Sequence, residues 1–205
     1  MNVATISSVF YEFGISAHYR GEIEVAQQFV AIACADPDAP AIWHRNHAEI
    51  LDRRGLSAAA EAAARRAVQY DPDCAEAWDT LGTILFQRGS LEESCACYET
   101  AARIDADFVE AFNNLAVALY RLGRLESAEV RYRQALRLVP DSAEILLNLA
   151  TLLGELGRHQ EGCKIVSEVL DRRPNLMRAR SLLTEFRTIL KSSRRGRSKF
   201  ERGGC

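Results

Sequence analysis

Glycines recur at Gly21, Gly55, Gly89, Gly123 and Gly157, each 34 residues after the last. Self-similarity at this period means an array of small helical or strand units, each unable to bury its apolar face alone and each stacked on its neighbours. Aligned on the glycines, the flanks agree. Eight residues earlier stand Phe13, His47, Leu81, Leu115 and Leu149; one position on come the small residues Gly14, Ala48, Gly82, Ala116 and Ala150. Five after the glycine are Ala26, Ala60, Ser94, Ala128 and Gly162, and nine after are Val30, Ala64, Tyr98, Tyr132 and Val166. Twelve after it are Ala33, Ala67, Ala101, Ala135 and Val169.

Each column has a mechanical job. The shared glycine permits a tight turn between two antiparallel helices. The small columns let paired helices approach closely, and the larger apolar ones, at helical spacing, fill the seam between neighbouring pairs. Pro72, Pro140 and Pro174 stand seventeen after their glycines and close the second helix of a unit. Ala, Leu, Glu and Arg dominate the composition, which favours helix over strand. The expected fold class is all-α: a right-handed α-α superhelical solenoid of five helix pairs plus a C-terminal capping helix.

The pattern WxxLGxxL at Trp78, Leu81, Gly82 and Leu85, followed by small, aromatic, Ala and Pro in order, resembles the tetratricopeptide repeat. The resemblance covers about residues 7–176 as five repeats, 7–40, 41–74, 75–108, 109–142 and 143–176. It is closer in the third to fifth than in the first two. The stretch EAFNNLAVALYRLGRLESAEVRYRQAL is similar to repeats that precede the sugar-nucleotide transferase domain of O-linked N-acetylglucosamine transferases, but no such domain fits in these 205 residues.

The second repeat breaks the pattern. Pro37 lies sixteen after Gly21, and Trp43 lies twelve before Gly55, whereas Trp78 lies eleven before Gly89. One residue is expected to be lost in the first interrepeat loop and one gained in the next helix. That helix should be distorted, with Trp43, His44 and Asn46 ambiguous by one position. After Pro174, residues 177–191 have helical apolar spacing (Met177, Leu182, Leu183, Phe186, Ile189, Leu190) without a partner repeat, as a capping helix would. Residues 1–191 are thus expected to form one solenoid domain, and 192–205 a basic, disordered tail.

The resemblance implies that the first helix of each pair lines a concave groove for extended peptides. Nine residues before each glycine stand Glu12, Asn46, Thr80, Asn114 and Asn148. An amide both donates to and accepts from a peptide backbone, so asparagines one repeat apart can grip an extended chain whatever its side chains. This resembles the asparagine ladder of the transferases; the alternative is that these residues cap or solvate a helix. Phe86 and Tyr120, three before their glycines, either anchor an apolar ligand side chain or pack against the next helix. Glu76, Glu110 and Glu144, thirteen before, with Glu49, Asp52, Asp79 and Glu155 outnumber Arg45, Arg53 and Arg121 on the expected groove face, partly as helix-start acids.

That charge bears on partners. Residues 191–205 carry a net +5 and the rest of the chain −7. An acidic groove suits a neutral or basic peptide or protein and disfavours nucleic acid. The tail has three readings: a solvated end, an arm for nucleic acid or anionic membrane, or an internal ligand of the acidic groove. The Lys, Arg and Asn clamp with which cochaperones of this family grip an acidic peptide tail is not found in these columns.

The expected function is a protein–protein interaction module or scaffold. The alternatives are a chaperone for a secreted substrate, as in type III secretion, and, from another class, RNA binding through helical repeats and the basic tail. No enzyme, cofactor or metal is expected. His44 and His47, three apart near Glu49, lack a third ligand; Cys95 and Cys97, two apart on a helix, point different ways. With no signal-like N-terminus, no apolar run of spanning length and six cysteines without zinc spacing, a reduced, cytoplasmic protein is expected.

Overall fold

The computed structural model describes residues 3–202, with side chains from 5 to 192. The chain divides into two compact units, Met1–Ala118 and Leu119–Cys205, where the sequence suggests one domain. The first holds α1 (Val3–Tyr19), α2 (Ile23–Ala33), α3 (Ala41–Arg53), α4 (Ser57–Tyr70), α5 (Ala75–Gln87), α6 (Leu91–Ile104) and most of α7 (Val109–Arg121). The second holds the end of α7, α8 (Leu125–Leu138), α9 (Ala143–Glu155), α10 (His159–Arg172) and α11 (Met177–Arg202). The described residues contain helices and turns and no strand. They form five helix pairs followed by a lone helix, the all-α repeat architecture that the period dictates.

The repeat glycines work as the spacing predicts. All five have φ between +72° and +84°, the left-handed region that a Cβ disfavours. At Gly89 the amide donates to the Phe86 carbonyl at 3.0 Å, and the next amide, of Ser90, reaches back to Leu85 at 2.9 Å. This paired closure ends α5 and turns the chain directly into α6. The same pair of bonds recurs at Gly21, Gly55, Gly123 and Gly157.

The small columns are buried throughout, and Gly82 shows why. A Cβ there would lie 2.8 Å from Cε1 of Tyr98, so the aromatic nine residues after the turn is accommodated by a missing side chain on the facing helix. Trp78 spans a different gap: its indole Nε1 donates to the Pro72 carbonyl at 2.8 Å, tying the helix start to the preceding turn. Ala63, Ala64 and Ala67 of α4 pack with Ala77, Leu81 and Ile84 of α5, forming a seam between the second and third repeats.

The irregular second repeat is built differently from the sequence expectation. The helix α3 is continuous over Ala41–Arg53 and has the same length as α5, α7 and α9. The extra residue lies in the linker instead. Asp36, Asp71 and Asp105 each accept, through Oδ1, a hydrogen bond from the amide two residues on, closing a turn after the second helix. From Asp36 to the start of α3 is five residues; from Asp71 or Asp105 to the next helix is four. The helix before it, α2, has 11 residues where α4 and α6 have 14, and the linker over 34–40 is longer by the same three residues than those over 71–74 and 105–108. Loops tolerate such insertions where helices do not.

In the second unit, α11 packs on α9 and α10, and Phe186 is its anchor at 2% exposure. Its ring occupies the space over two glycines: a Cβ on Gly154 or Gly162 would come within 2.7 or 2.5 Å of it. Ala179 is buried and Leu182 and Leu183 half-buried beside it, whereas Met177, grouped with that apolar face by spacing, is 71% exposed. The backbone of α11 continues as helix to Arg202, beyond the 191 at which the sequence suggested the cap would end. The side chains of the basic tail from 193, and residues 203–205, lie outside the described residues.

Candidate functional site

The first helices of the first three repeats share a cleft of about 330 Å³. It is walled by His18 of α1, by Glu49, Asp52 and Arg53 of α3, and by Asp79, Thr80, Thr83 and Ile84 of α5. Three carboxylates thus face one guanidinium. Arg53 is already engaged, with Nη1 lying 3.2 Å from Nε2 of His18. The Nδ1 of His18 is buried with no hydrogen-bond partner among the described residues.

Asp79 sits deepest. Burial is the main influence on its carboxyl and pushes its pKa up; a hydrogen bond from Asn114 opposes this, and the charges of Glu110 and Glu49 add to the rise. A cation entering the cleft would offset the repulsion from Glu110 and Glu49. Next to it lies a second cleft, of about 280 Å³, lined by Thr83, Phe86, Gln87, Tyr98, Asn114 and Val117. Thr83 borders both clefts, so the first is acidic and the second, beside it, is largely apolar and aromatic.

The residues singled out from the sequence fall into three groups. Thr80, Phe86 and Asn114 line these two clefts. Thr80 also donates its hydroxyl to the Glu76 carbonyl, one turn back in its own helix, at 2.8 Å. Asn46 is half-buried and donates to the Tyr11 hydroxyl at 2.5 Å, while Glu76 and Glu110 are exposed. In the second unit, Asn148 accepts from Arg178 of α11 at 2.9 Å, Tyr120 is half-buried and Glu144 is exposed.

A second rule, unseen in the sequence reading, governs the asparagine column. Asn114 donates to Asp79, and Asn46 to Tyr11, in both cases across 35 residues. The amide nine before one glycine therefore meets the side chain ten before the previous glycine. These asparagines tie successive first helices together. The period of 34 plus one position carries the signal, since each partner occupies a neighbouring column one repeat earlier.

Elsewhere the chemistry is quiet. Among the described residues no group of three or more His, Cys, Asp or Glu is placed to hold a metal ion. Burial lifts the thiols of Cys34 and Cys97 to about 12 and about 11, so neither is a thiolate near neutrality. The His44 ring stacks on Tyr70 at 4.9 Å and lines a cleft with Cys34, Asp36 and Arg66 beneath the irregular linker. No described helix is long and apolar enough to cross a membrane.

Comparison with known proteins agrees with this architecture. A family model described as "TPR repeat" matches residues 82–123 and 118–157. No curated protein matches the sequence. Among solved structures, the chain is similar to a tetratricopeptide repeat protein from Parabacteroides merdae, with TM-score 0.80 and 16% identity over 96% of this chain and 78% of that one. It is also similar to MamA, with TM-score 0.74 and 16% identity over 82% of this chain and 92% of that one. A third is YrrB, described as a TPR protein with an unusual peptide-binding site, with TM-score 0.70 and 16% identity over 83% and 88% of the two chains. At these identities the likeness speaks for the fold alone. Period, turn geometry and packing columns agree with the family model where it matches, and the repeats within residues 82–157 are tetratricopeptide repeats.

Proposed function

We propose that the protein is an interaction scaffold that binds an extended, basic peptide segment of a partner along the first helices of its repeats. The observation that carries this reading is the acidic cleft of Glu49, Asp52 and Asp79 beside the aromatic-lined one at Phe86. A lysine or arginine side chain entering the first would meet three carboxylates, of which Asp52 and Asp79 are half-buried, where the attraction is less screened than at an open surface. An apolar residue a few positions along the same peptide would reach Phe86 and Val117 in the second. YrrB, a structural neighbour, is described as having a peptide-binding site, which supports a similar use of this fold here. The reading is one of binding rather than catalysis, with no cofactor.

Fluorescence anisotropy with labelled peptide pools tests it. Pools carrying Lys or Arg flanked by apolar residues should bind, and the same pools with Glu in place of the basic residue should not. Neutralising the cleft by Asp52→Asn with Asp79→Asn should weaken binding by about tenfold to a hundredfold, as expected when a desolvated ion pair loses one partner. A preference for acidic peptides, or equal binding by the neutralised variant, would refute the assignment.

A further inference from the structure

Among the described residues, the leading face of the first repeat is apolar and uncovered. In the third repeat, the residues twelve and eight before the glycine, Ala77 and Leu81, are buried beneath α3 and α4 of the repeat before. Their counterparts in the fourth repeat, Ala111 and Leu115, are buried as well. In the first repeat these columns hold Val9 and Phe13, which are larger than or comparable to the residues they replace, yet 48% and 58% exposed.

They belong to a continuous patch. Ile6, Val9 and Phe13 follow one another at helical spacing on α1, and Phe10 and Phe13 each meet Phe29 of α2, at ring separations of 5.9 and 6.0 Å. Ile32, one turn beyond Phe29, is half exposed and extends the patch. An aromatic surface of a few hundred Å² is the scale at which an exposed patch marks an interaction site. A solenoid end meant for solvent carries a polar outer face, which this one lacks.

We propose that this face is a homodimer interface, in which α1 and α2 of one copy pack on α1 and α2 of another. Two observations select a second copy meeting leading face to leading face. First, a head-to-tail stack needs an open trailing face, and the trailing face of the last repeat is already covered by Ala179 and Phe186 of α11. Second, the patch is compatible with its own duplicate: Glu12 is the only residue of α1 from Thr5 to Ala17 with a formal charge, and Glu24, the only one of α2, pairs with Arg54, so two copies bring no array of like charges together. The closed two-fold arrangement satisfies both faces and ends at two chains. It leaves the peptide reading untouched, because neither Val9 nor Phe13 lines the acidic or the aromatic cleft.

Sedimentation velocity on the full 205-residue chain over a concentration series tests the proposal. The wild type should pass from 22.8 kDa to about twice that mass and stop there, with a midpoint in the micromolar range. Phe13→Glu and, separately, Val9→Lys should each weaken association by at least about tenfold, since each places a charge in a dry interface. Both sites are exposed in the single chain, and circular dichroism should show unchanged helix. Val130→Glu, a charge placed on an exposed apolar residue of α8, should leave the dimer intact. A wild type that stays at the single-chain mass, one that grows beyond two copies, or a dimer that survives both α1 substitutions overturns the proposal.

Discussion

The docking of α11 can be broken and rescued at a single seat. Phe186→Ala removes a ring at 2% exposure and should cost about 3–5 kcal/mol. In a chain of this size that lowers Tm by about 6–20 °C at roughly 2–4 °C per kcal/mol. Gly162→Ala tests the same contact from the other side. Its new Cβ would lie 2.5 Å from Cε2 of Phe186, and overpacking of this kind costs about 1–3 kcal/mol. Against this, replacing a glycine within a helix by alanine gains about 0.5–1 kcal/mol. In the wild type the clash wins and the variant is destabilised. In the Phe186→Ala background the clash is gone, the helix gain remains, and the same substitution should stabilise by about 0.5–1 kcal/mol. Urea titration followed by far-ultraviolet circular dichroism gives the four free energies of the cycle. Trp43 and Trp78 both lie in the first unit, so tryptophan emission provides an internal reference for the part left unaltered. If Gly162→Ala has the same effect in both backgrounds, the ring does not fill that space and the seat of α11 has been misassigned.

Other consequences are simpler. Gly123→Ala should cost about 1–2 kcal/mol from its φ of +73° alone, since a Cβ there meets nothing within 4 Å; Gly123→Asn should cost less, and thermal melts separate the two. Burial holds the pKa of Asp79 above its unfolded value, so the folded state keeps a proton that the unfolded state gives up, and stability falls as pH rises through the carboxylate range. Asp79→Asn should therefore melt higher than wild type at neutral pH, and the gain should vanish below the ordinary value of 3.8. His47 shows the opposite dependence. Burial, with lesser help from His44 and Arg66, holds its pKa down to about 4 from 6.5, so stability present above 6.5 is lost as pH falls towards 4. His47→Gln should flatten that part of a Tm-against-pH curve.

Much of the fold was legible because its determinants are local and repeated. A glycine every 34 residues specifies the turn, and the small columns five after and seven before it specify the closest approach of paired helices. The physical reason is close range: Gly82 and Tyr98 can be matched from the sequence because one unit contains both. The insertion near Pro37 was placed in the wrong element because spacing counts residues without saying where a helix stops. The turn formed by Asp36 decided that, and Asp71 and Asp105 repeat it. The candidate site was less legible because it is assembled from three or four repeats. Thr80, Phe86 and Asn114 were identifiable as column members, but the depth of Asp79 depends on which residues α3 and α7 place around it.

The asparagine column shows why a repeated polar residue is ambiguous from sequence alone, and how to resolve it. A recurrent amide can recur because each repeat offers it the same ligand, or because each repeat offers it the same neighbour. Asn114 has such a neighbour in Asp79, at 2.9 Å. Losing peptide binding in Asn114→Ala would therefore not by itself show that the amide touches the peptide. Without its donor, the Asp79 carboxyl should hold its proton to higher pH, and a cation would find less charge in the cleft. The two routes differ in pH dependence. If Asn114 acts through Asp79, the affinity lost in Asn114→Ala should recover as pH is raised, and the substitution should have little effect in an Asp79→Asn background. If the amide grips the peptide backbone, the loss should be independent of pH and persist with Asp79→Asn. Anisotropy titrations of the four variants across the acid-to-neutral range decide between them. We expect the first pattern, because Asn46 makes the equivalent bond to Tyr11 where the partner carries no carboxylate, so the column's common property is to join helices.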